Sequence, residues 1–168
     1  QTLLSVFGSR VVLPESGILM NNGIMWFDPR SGKPNSLSAE KKPLSNMCPT
    51  IVLDKSGMKV ALGASGGRRI FPAVFQIISF LKDYKMDLND AFNTSRIDYS
   101  GENRILANES LSQDIINNLN NLMHTIKVPD SVFSHLFAAP NAVMSDPTGK
   151  KYGNAYIPSP WSSALSTE

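Results

Sequence analysis

The residues best placed to do chemistry form a short glycine-rich loop at 63–67. An apolar run leads into this loop, and an apolar segment of helical length, 70–81, follows it. Where a strand passes through a tight turn into a helix, unpaired N–H groups collect and the helix dipole adds partial positive charge. Gly66 and Gly67 carry no Cβ, so a ligand's oxygen atom can approach their amides closely. The loop is therefore predicted to stabilise a negative charge that develops on a bound molecule.

A packing explanation competes with this interpretation. The loop has neither the Gly-Lys-Ser/Thr ending of a Walker phosphate loop nor the GxGxxG spacing of a dinucleotide-binding turn. A tight turn between a strand and a buried helix can need glycine for close packing alone. Spacing by itself favours the packing explanation, so the rest of the chain must decide between the two.

The elements that would position this loop are predicted from apolar periodicity and turn residues. In chain order they are a strand at 2–7, a hairpin at 51–62, a helix at 70–81, a short helix capped by Asp87, strands at 96–99 and 104–107, a surface helix at 111–123 and a hairpin at 142–156. The helix at 70–81 is apolar on nearly every face, which predicts burial on all sides. Strands at both ends with helices between them favour an α+β domain with largely antiparallel sheets covered by helices.

Composition excludes several classes of function. The 168 residues are of single-domain size, with 42% hydrophobic and 18% charged residues and a net charge of +2. That charge is too small to argue for nucleic acid or an acidic membrane surface, and no apolar run approaches a membrane span. A single cysteine, Cys48, excludes an internal disulfide, and two histidines, His124 and His135, are too few for a histidine-based metal site. No metal and no organic cofactor is implied.

Other polar and aromatic residues carry weaker signals. Ser45 and Asn46 can bind a carboxylate or an amide, although a polar turn leading into a strand is the simpler explanation. Cys48 has no histidine nearby in sequence, which favours a buried inert thiol over a nucleophile. Trp26 follows the Asn21-Asn22-Gly23 turn, where an aromatic side chain either fills a core or walls a pocket.

Four motifs in one order within residues 7–70, with weaker similarity running on to the final hairpin, carry a resemblance to a known family. They are Phe7-Gly8-Ser9, Ser16-Gly17-Ile18-Leu19-Met20-Asn21-Asn22, Lys42-Pro43-Leu44-Ser45-Asn46-Met47-Cys48-Pro49-Thr50-Ile51-Val52 and Gly63-Ala64-Ser65-Gly66-Gly67-Arg68-Arg69-Ile70. In this combination they resemble the small subunit of gamma-glutamyltranspeptidases, within the N-terminal nucleophile hydrolase superfamily.

The resemblance implies a four-layer αββα sandwich to which residues 1–168 supply the C-terminal, small-subunit part. It implies a precursor that cleaves itself and so exposes a threonine, whose hydroxyl attacks a gamma-glutamyl amide with its own α-amino group as base. The acyl group then passes to water or to an amino acid. The implied partner is the large subunit or N-terminal segment of the same precursor, and a higher oligomer is left open.

By position in the family's motifs, Gly66 and Gly67 correspond to the oxyanion-hole pair. Ser45 and Asn46 correspond to a Ser-Ser pair that contacts the glutamyl α-carboxylate. Thr2 corresponds to a second threonine that hydrogen-bonds the nucleophile. The nucleophile itself belongs upstream of Thr2, so these 168 residues by themselves are expected to be inactive.

Three departures from the family's pattern concern the acyl pocket. Leu4 stands where the family has an asparagine, and Gly23 and Trp26 stand where it has a Gln or Glu and an Asp that hold the α-ammonium. Loss of an acidic partner for a buried ammonium weakens specific binding, and Trp26 offers apolar area instead. We expect an enzyme whose pocket prefers another acyl group, or which hydrolyses rather than transfers.

Two alternatives stay open. One is a true gamma-glutamyl hydrolase that holds the ammonium with other residues. The other is a catalytically inactive relative that serves as a binding or structural protein, in which Gly23 and Trp26 record lost substrate recognition.

Overall fold

The computed structural model describes residues 2–5, 7–101, 103–129, 131, 136–156 and 163–165. They belong to two compact units, Gln1–Ser45 and Asn46–Glu168. Within the described residues, no helix has the length and apolar character needed to cross a membrane.

The first unit is built mostly from turns. It contains an isolated bridge between Val12 and Leu19 and a 3₁₀ turn at Gly23–Trp26. The predicted strand at 2–7 is wrong, because Leu4 and Phe7 adopt positive φ angles of 62° and 61°. The carbonyl of Leu4 accepts from Gly8 N–H at 2.9 Å and that of Leu3 from Asn22 N–H at 2.8 Å, in a turn and a loop contact and not in a strand ladder.

The second unit contains the regular elements. In chain order they are β1 (Thr50–Leu53), β2 (Lys59–Ser65), α1 (Ile70–Lys82), α2 (Leu88–Asn93), β3 (Ile97–Asp98), β4 (Ile105–Asn108), α3 (Gln113–Leu122), β5 (Thr125–Val128), β6 (Ala139–Ser145) and β7 (Lys151–Ala155). One sheet has the order β1-β2-β6-β7 and is antiparallel throughout. The other has the order β3-β4-β5, in which β4 and β5 are parallel and are joined through α3.

Helix α1 builds the core against the first sheet. Val60 and Leu62 point from β2 and Ala142 from β6 toward the buried side of α1, which contributes Ile70, Val74 and Ile77. The prediction that this helix is buried on all sides is wrong. Phe71 and Phe75 are each 63% exposed, and their rings stack with centroids 6.3 Å apart. These two side chains therefore lie at the surface of the described part.

A single glutamine side chain joins α1 to the second sheet. The Gln76 Nε2 donates to the carbonyl of Ile97 at 2.8 Å, and the Gln76 Oε1 accepts from the Ile97 N–H at 2.9 Å. A primary amide matches the donor and acceptor of one peptide unit, so the clamp fixes the position of β3 along the helix. Both sheets therefore contact α1.

Most predicted elements of this unit are confirmed. Both hairpins form, α1 ends one residue later than predicted, and the Asp87 carboxylate caps α2 by accepting from Asp90 N–H at 2.7 Å. Strand β5 was not predicted. Its four residues follow α3 without a glycine or proline break, so no turn residue marks its start.

Asp54 links the turn between β1 and β2 to the end of α1. Its carboxylate accepts from the Lys82 ammonium at 2.5 Å, from Ser56 N–H at 2.9 Å and from Met58 N–H at 3.0 Å. The Lys82 hydrogen bond, followed by that of the Ser56 hydroxyl, holds the pKa of Asp54 below its usual range.

Asp54→Asn is expected to lower the melting temperature, because it removes the charge that faces Lys82. Since the folded pKa is depressed, this contribution is present above about pH 4 and is lost as the pH falls through the folded pKa. The difference in melting temperature from wild type should therefore be largest near neutrality and shrink in acid. Asp87→Asn is the matched control, because asparagine also caps a helix. A difference that is the same at neutral and at acid pH would contradict the ion-pair explanation.

Candidate functional site

The glycine-rich turn is shorter than the sequence predicts. Strand β2 continues through Ser65, and the three residues from Gly63 to Ser65 pair with Asn141, Pro140 and Ala139 of β6. The turn itself is Gly66 followed by a 3₁₀ turn at Gly67–Arg69, which leads directly into α1. Small residues at 63–64 thus belong to the strand and not to a loop.

The two glycines of this turn are required for different reasons. A Cβ on Gly66 would lie 2.8 Å from the Ala138 Cα and 2.9 Å from its Cβ, so close packing demands glycine there. A Cβ on Gly67 would meet nothing within 4 Å. The φ angles are +139° at Gly66 and +64° at Gly67. Packing therefore accounts for Gly66, whereas Gly67 needs glycine only for its left-handed backbone.

The turn presents unpaired backbone donors. Arg69 N–H donates to the Gly66 carbonyl at 3.3 Å, and Ile70 N–H donates to the Gly67 carbonyl. Within the described ranges, no acceptor lies at hydrogen-bond distance from the N–H of Gly66 or of Gly67. Two adjacent N–H groups at the start of a helix can together receive a negatively charged oxygen.

A buried carboxylate anchors the turn to the second sheet. The Asp98 side chain in β3 is 4% exposed, and its Oδ2 lies 3.5 Å from the Arg69 Nε and accepts from Ser100 Oγ at 3.0 Å. Sequence analysis missed this residue. The signal that could have found it is an acidic residue at a strand position whose side chain points into the core, because a buried carboxylate is normally paired.

Asn46 lies toward the same end of the first sheet as Gly66. In the antiparallel register Thr50 pairs with Leu62, so the chain before β1 runs toward the end at which β2 leaves the sheet. Asn46 precedes Thr50 by as many residues as Gly66 follows Leu62. Its side chain is half-buried, and among the described residues its Oδ1 is buried without a hydrogen-bond partner.

Four of the predicted site residues lie in the first unit. Thr2 and Ser45 are exposed, and Thr2 Oγ1 accepts from Leu4 N–H at 3.2 Å. Gly23 and Trp26 begin and end one 3₁₀ turn, and a Cβ on Gly23 would lie 3.7 Å from a methyl carbon of Leu4. The three departures from the family's pattern are therefore neighbours.

Trp26 is held through its backbone. Its carbonyl accepts from the Asn35 amide at 2.6 Å, and its ring is half-buried. The indole Nε1 is buried, and no acceptor for it is found in the described part of this unit. An indole N–H can only donate, so this side chain cannot replace a carboxylate as acceptor for an ammonium.

The cysteine and the two histidines do not form a functional site in the described residues. Cys48 is half-buried against the core cluster, with its Sγ 3.7 Å from Thr50 Oγ1, in line with the structural thiol that the sequence favours. His124 lies in the backbone connection before β5, and His135 lies outside the described residues. In the described ranges, no group of three or more His, Cys, Asp or Glu side chains is arranged to hold a metal ion.

Comparison with known proteins places these features in a family. The sequence model of the family described as gamma-glutamyltranspeptidase matches residues 1–155. The glutathione hydrolase proenzyme of Bacillus subtilis is 29% identical over 123 residues, which are 73% of this chain and 21% of that protein. An acylase proenzyme of a Pseudomonas strain is 35% identical over 97 residues, covering 58% of this chain and 17% of that protein.

The structural comparison agrees. The chain matches a mutant gamma-glutamyltranspeptidase of Helicobacter pylori with a TM-score of 0.77 and 26% identity, over 95% of this chain and 91% of that one. This confirms the predicted α+β αββα fold of N-terminal nucleophile hydrolase type. The chain spans about a fifth of the length of the curated Bacillus relative.

Gly66→Ala and Gly67→Ala are expected to differ in cost. Alanine at 66 meets both the clash with Ala138 and an unfavourable φ, for a loss of about 2–4 kcal/mol in the free energy of unfolding. Alanine at 67 meets only the unfavourable φ, for a loss of about 1 kcal/mol. Denaturant unfolding of the complete protein measures both values. Equal losses would show that the Ala138 contact does not restrict Gly66.

Proposed function

Because the chain belongs to the gamma-glutamyltranspeptidase family, we propose that it carries the oxyanion hole and part of the acyl pocket of an amidohydrolase or acyltransferase. The substrate is a small-molecule amide with a gamma-glutamyl or related acyl group. The observation that carries the proposal is the pair of N–H groups at Gly66 and Gly67, for which no acceptor is found among the described residues. In this proposal residues 1–168 form the C-terminal part of one domain.

The proposed reaction uses a threonine outside these 168 residues, freed as a new N-terminus when the precursor cleaves itself. Its α-amino group has a pKa near neutrality and takes the hydroxyl proton as the oxygen attacks the amide carbon. The carbonyl oxygen becomes negative in the tetrahedral intermediate, and the N–H groups of Gly66 and Gly67 donate to it. The amine then leaves with a proton, and the acyl-enzyme passes its acyl group to water or to an amino acid. One oxyanion-hole donor is worth about 10²–10³ in kcat.

The proposed contacts to the acyl group are assigned by position in the family's motifs. In this proposal Ser45 and Asn46 contact a carboxylate of the acyl group, and Thr2 hydrogen-bonds the nucleophile. The position of Asn46 toward the sheet end that carries Gly66 supports its part in the same pocket. Its buried, unpartnered Oδ1 also supports a role for this side chain with a bound molecule, since a buried polar atom is normally hydrogen-bonded.

Gly23 and Trp26 shift the preference away from a gamma-glutamyl group. Neither residue supplies an acceptor side chain for the α-ammonium, and Leu4 beside Gly23 adds apolar surface. An acyl group without the ammonium, such as glutaryl, loses no binding interaction in such a pocket. Similarity to a protein named acylase, alongside one named glutathione hydrolase, supports testing both acyl groups.

The proposed partner is the large subunit or N-terminal segment of the same precursor. Two faces of the described second unit support it. Ile51, Leu53 and Val143 lie exposed on the sheet face turned away from α1, where they line an apolar groove, and Phe71 and Phe75 lie exposed on α1. Apolar surface of this extent is normally covered by protein.

A catalytically inactive relative that acts as a binding or structural protein is the second candidate. The observation that favours it is the loss of acceptor side chains at Gly23 and Trp26 together. The two candidates differ in maturation, because an inactive relative needs neither self-cleavage nor turnover.

The complete protein is expected to self-cleave and to hydrolyse an anilide. Intact-mass spectrometry should find two fragments, the smaller one beginning with threonine. Glutaryl-p-nitroanilide should be turned over with a higher kcat/KM than gamma-glutamyl-p-nitroanilide. One intact chain with no turnover of either compound would favour the inactive relative, and turnover confined to the gamma-glutamyl compound would overturn the role given to Trp26.

Trp26→Asp is expected to raise kcat/KM for gamma-glutamyl-p-nitroanilide relative to the glutaryl compound by about tenfold or more, because a carboxylate can accept from the α-ammonium. The control is Trp26→Phe, which removes the indole but adds no acceptor and should leave the ratio on the glutaryl side. A ratio that shifts equally in both variants would show that loss of the indole, and not gain of the carboxylate, sets the preference.

A further inference from the structure

We propose that Ala138 is a positioning residue that holds the Gly66 peptide in the orientation needed to stabilise the oxyanion. This inference rests on the proposed function, because it assigns Ala138 a role at the same site. Ala138 does not touch the reacting atoms, and it acts through its contact with Gly66.

The contact lies just beyond the last pair of the sheet. Ser65 of β2 pairs with Ala139 of β6, so Gly66 and Ala138 are the first residues outside the ladder on the two strands. Ala138 is fully buried, and a Cβ on Gly66 would overlap both its Cα and its Cβ. The two residues therefore approach as closely as their backbones permit, and the Ala138 methyl group restricts Gly66.

Ala138 itself has a backbone conformation that alanine rarely adopts. Its φ angle is +58°, in the left-handed region that is disfavoured by a Cβ. A strained residue of this kind persists only where the contacts around it hold its backbone in place. Such residues cluster at functional sites. Glycine would adopt this backbone conformation with less strain than alanine does.

A buried guanidinium holds the chain next to Ala138. Arg96 is 5% exposed, and its Nη1 donates to the Phe92 carbonyl at 3.2 Å and its Nη2 to the Phe137 carbonyl at 3.4 Å. Its guanidinium carbon lies 5.8 Å from the centroid of the Tyr156 ring. These contacts fix the peptide that precedes Ala138 and so fix the side from which its methyl group meets Gly66.

The two amides of the turn are therefore supported unequally. Gly66 has a φ angle open only to glycine and would be free to reorient without the Ala138 contact. A Cβ built on Gly67 would meet nothing within 4 Å, so the chain leaves room beside this residue. In this proposal the Ala138 contact fixes the orientation of the Gly66 peptide before the substrate arrives, which is the preorganisation that oxyanion stabilisation requires.

The test is Ala138→Gly in the complete protein. We expect kcat to fall about tenfold with KM unchanged, because the oxyanion exists only in the transition state and the intermediate. The melting temperature should hold, since glycine suits the left-handed backbone. The matched control is Ala107→Gly in β4, which removes an equally buried methyl group from a strand that does not form the turn and should leave kcat unchanged.

Hydrogen–deuterium exchange gives a readout that does not need activity. The N–H groups of Arg69 and Ile70 donate to the carbonyls of Gly66 and Gly67. Peptides covering 66–70 should exchange faster in Ala138→Gly and not in Ala107→Gly. Unchanged exchange would overturn the positioning role. Faster exchange with an unchanged kcat would overturn its catalytic consequence, and an inactive wild-type protein would instead refute the proposed function.

Discussion

The pairing of β2 with β6 is the constraint on which the rest of the second unit depends. These strands are distant in sequence, and their antiparallel ladder runs without a break from Lys59 to Ser65. One side of the ladder supplies the apolar residues under α1. Its end brings Ala138 against Gly66 and so determines where β2 must leave the sheet. This one ladder positions the turn, the start of the helix and the amide donors.

Local signals in the sequence were enough to predict the parts whose stabilising contacts are also local. The hairpin around Asp54 and the Asp87 cap each depend on side chains within a few residues of the bond they form. The errors arose where distant residues decide. Gly63 belongs to a strand because Asn141 pairs with it, and small residues alone could not show that partner. Phe71 and Phe75 look like core residues in periodicity, but burial depends on what covers each face of the helix.

The candidate site shows a similar division. The sequence located the two glycines but could not separate close packing from anion binding, because both require glycine at a turn. The structure shows that packing against Ala138 explains Gly66, whereas Gly67 needs glycine only for its positive φ angle. The residues that support the turn could not be predicted. Ala138 is an ordinary alanine in sequence, and Asp98 and Arg69 come together only because Gln76 aligns β3 with α1. The roles of Thr2, Ser45, Asn46, Gly23 and Trp26 come from position in the family's motifs.

The stacked rings of Phe71 and Phe75 have a consequence for how such a molecule can be made in a cell. A helix that leaves two large aromatic side chains in water is a poor storage form, because such surfaces associate with one another and attract chaperones. In the proposed precursor, a covering segment belongs to the same polypeptide and is present at high effective concentration from the moment the helix emerges. Under that proposal these surfaces have to be buried before self-cleavage, so folding precedes the cut in the backbone.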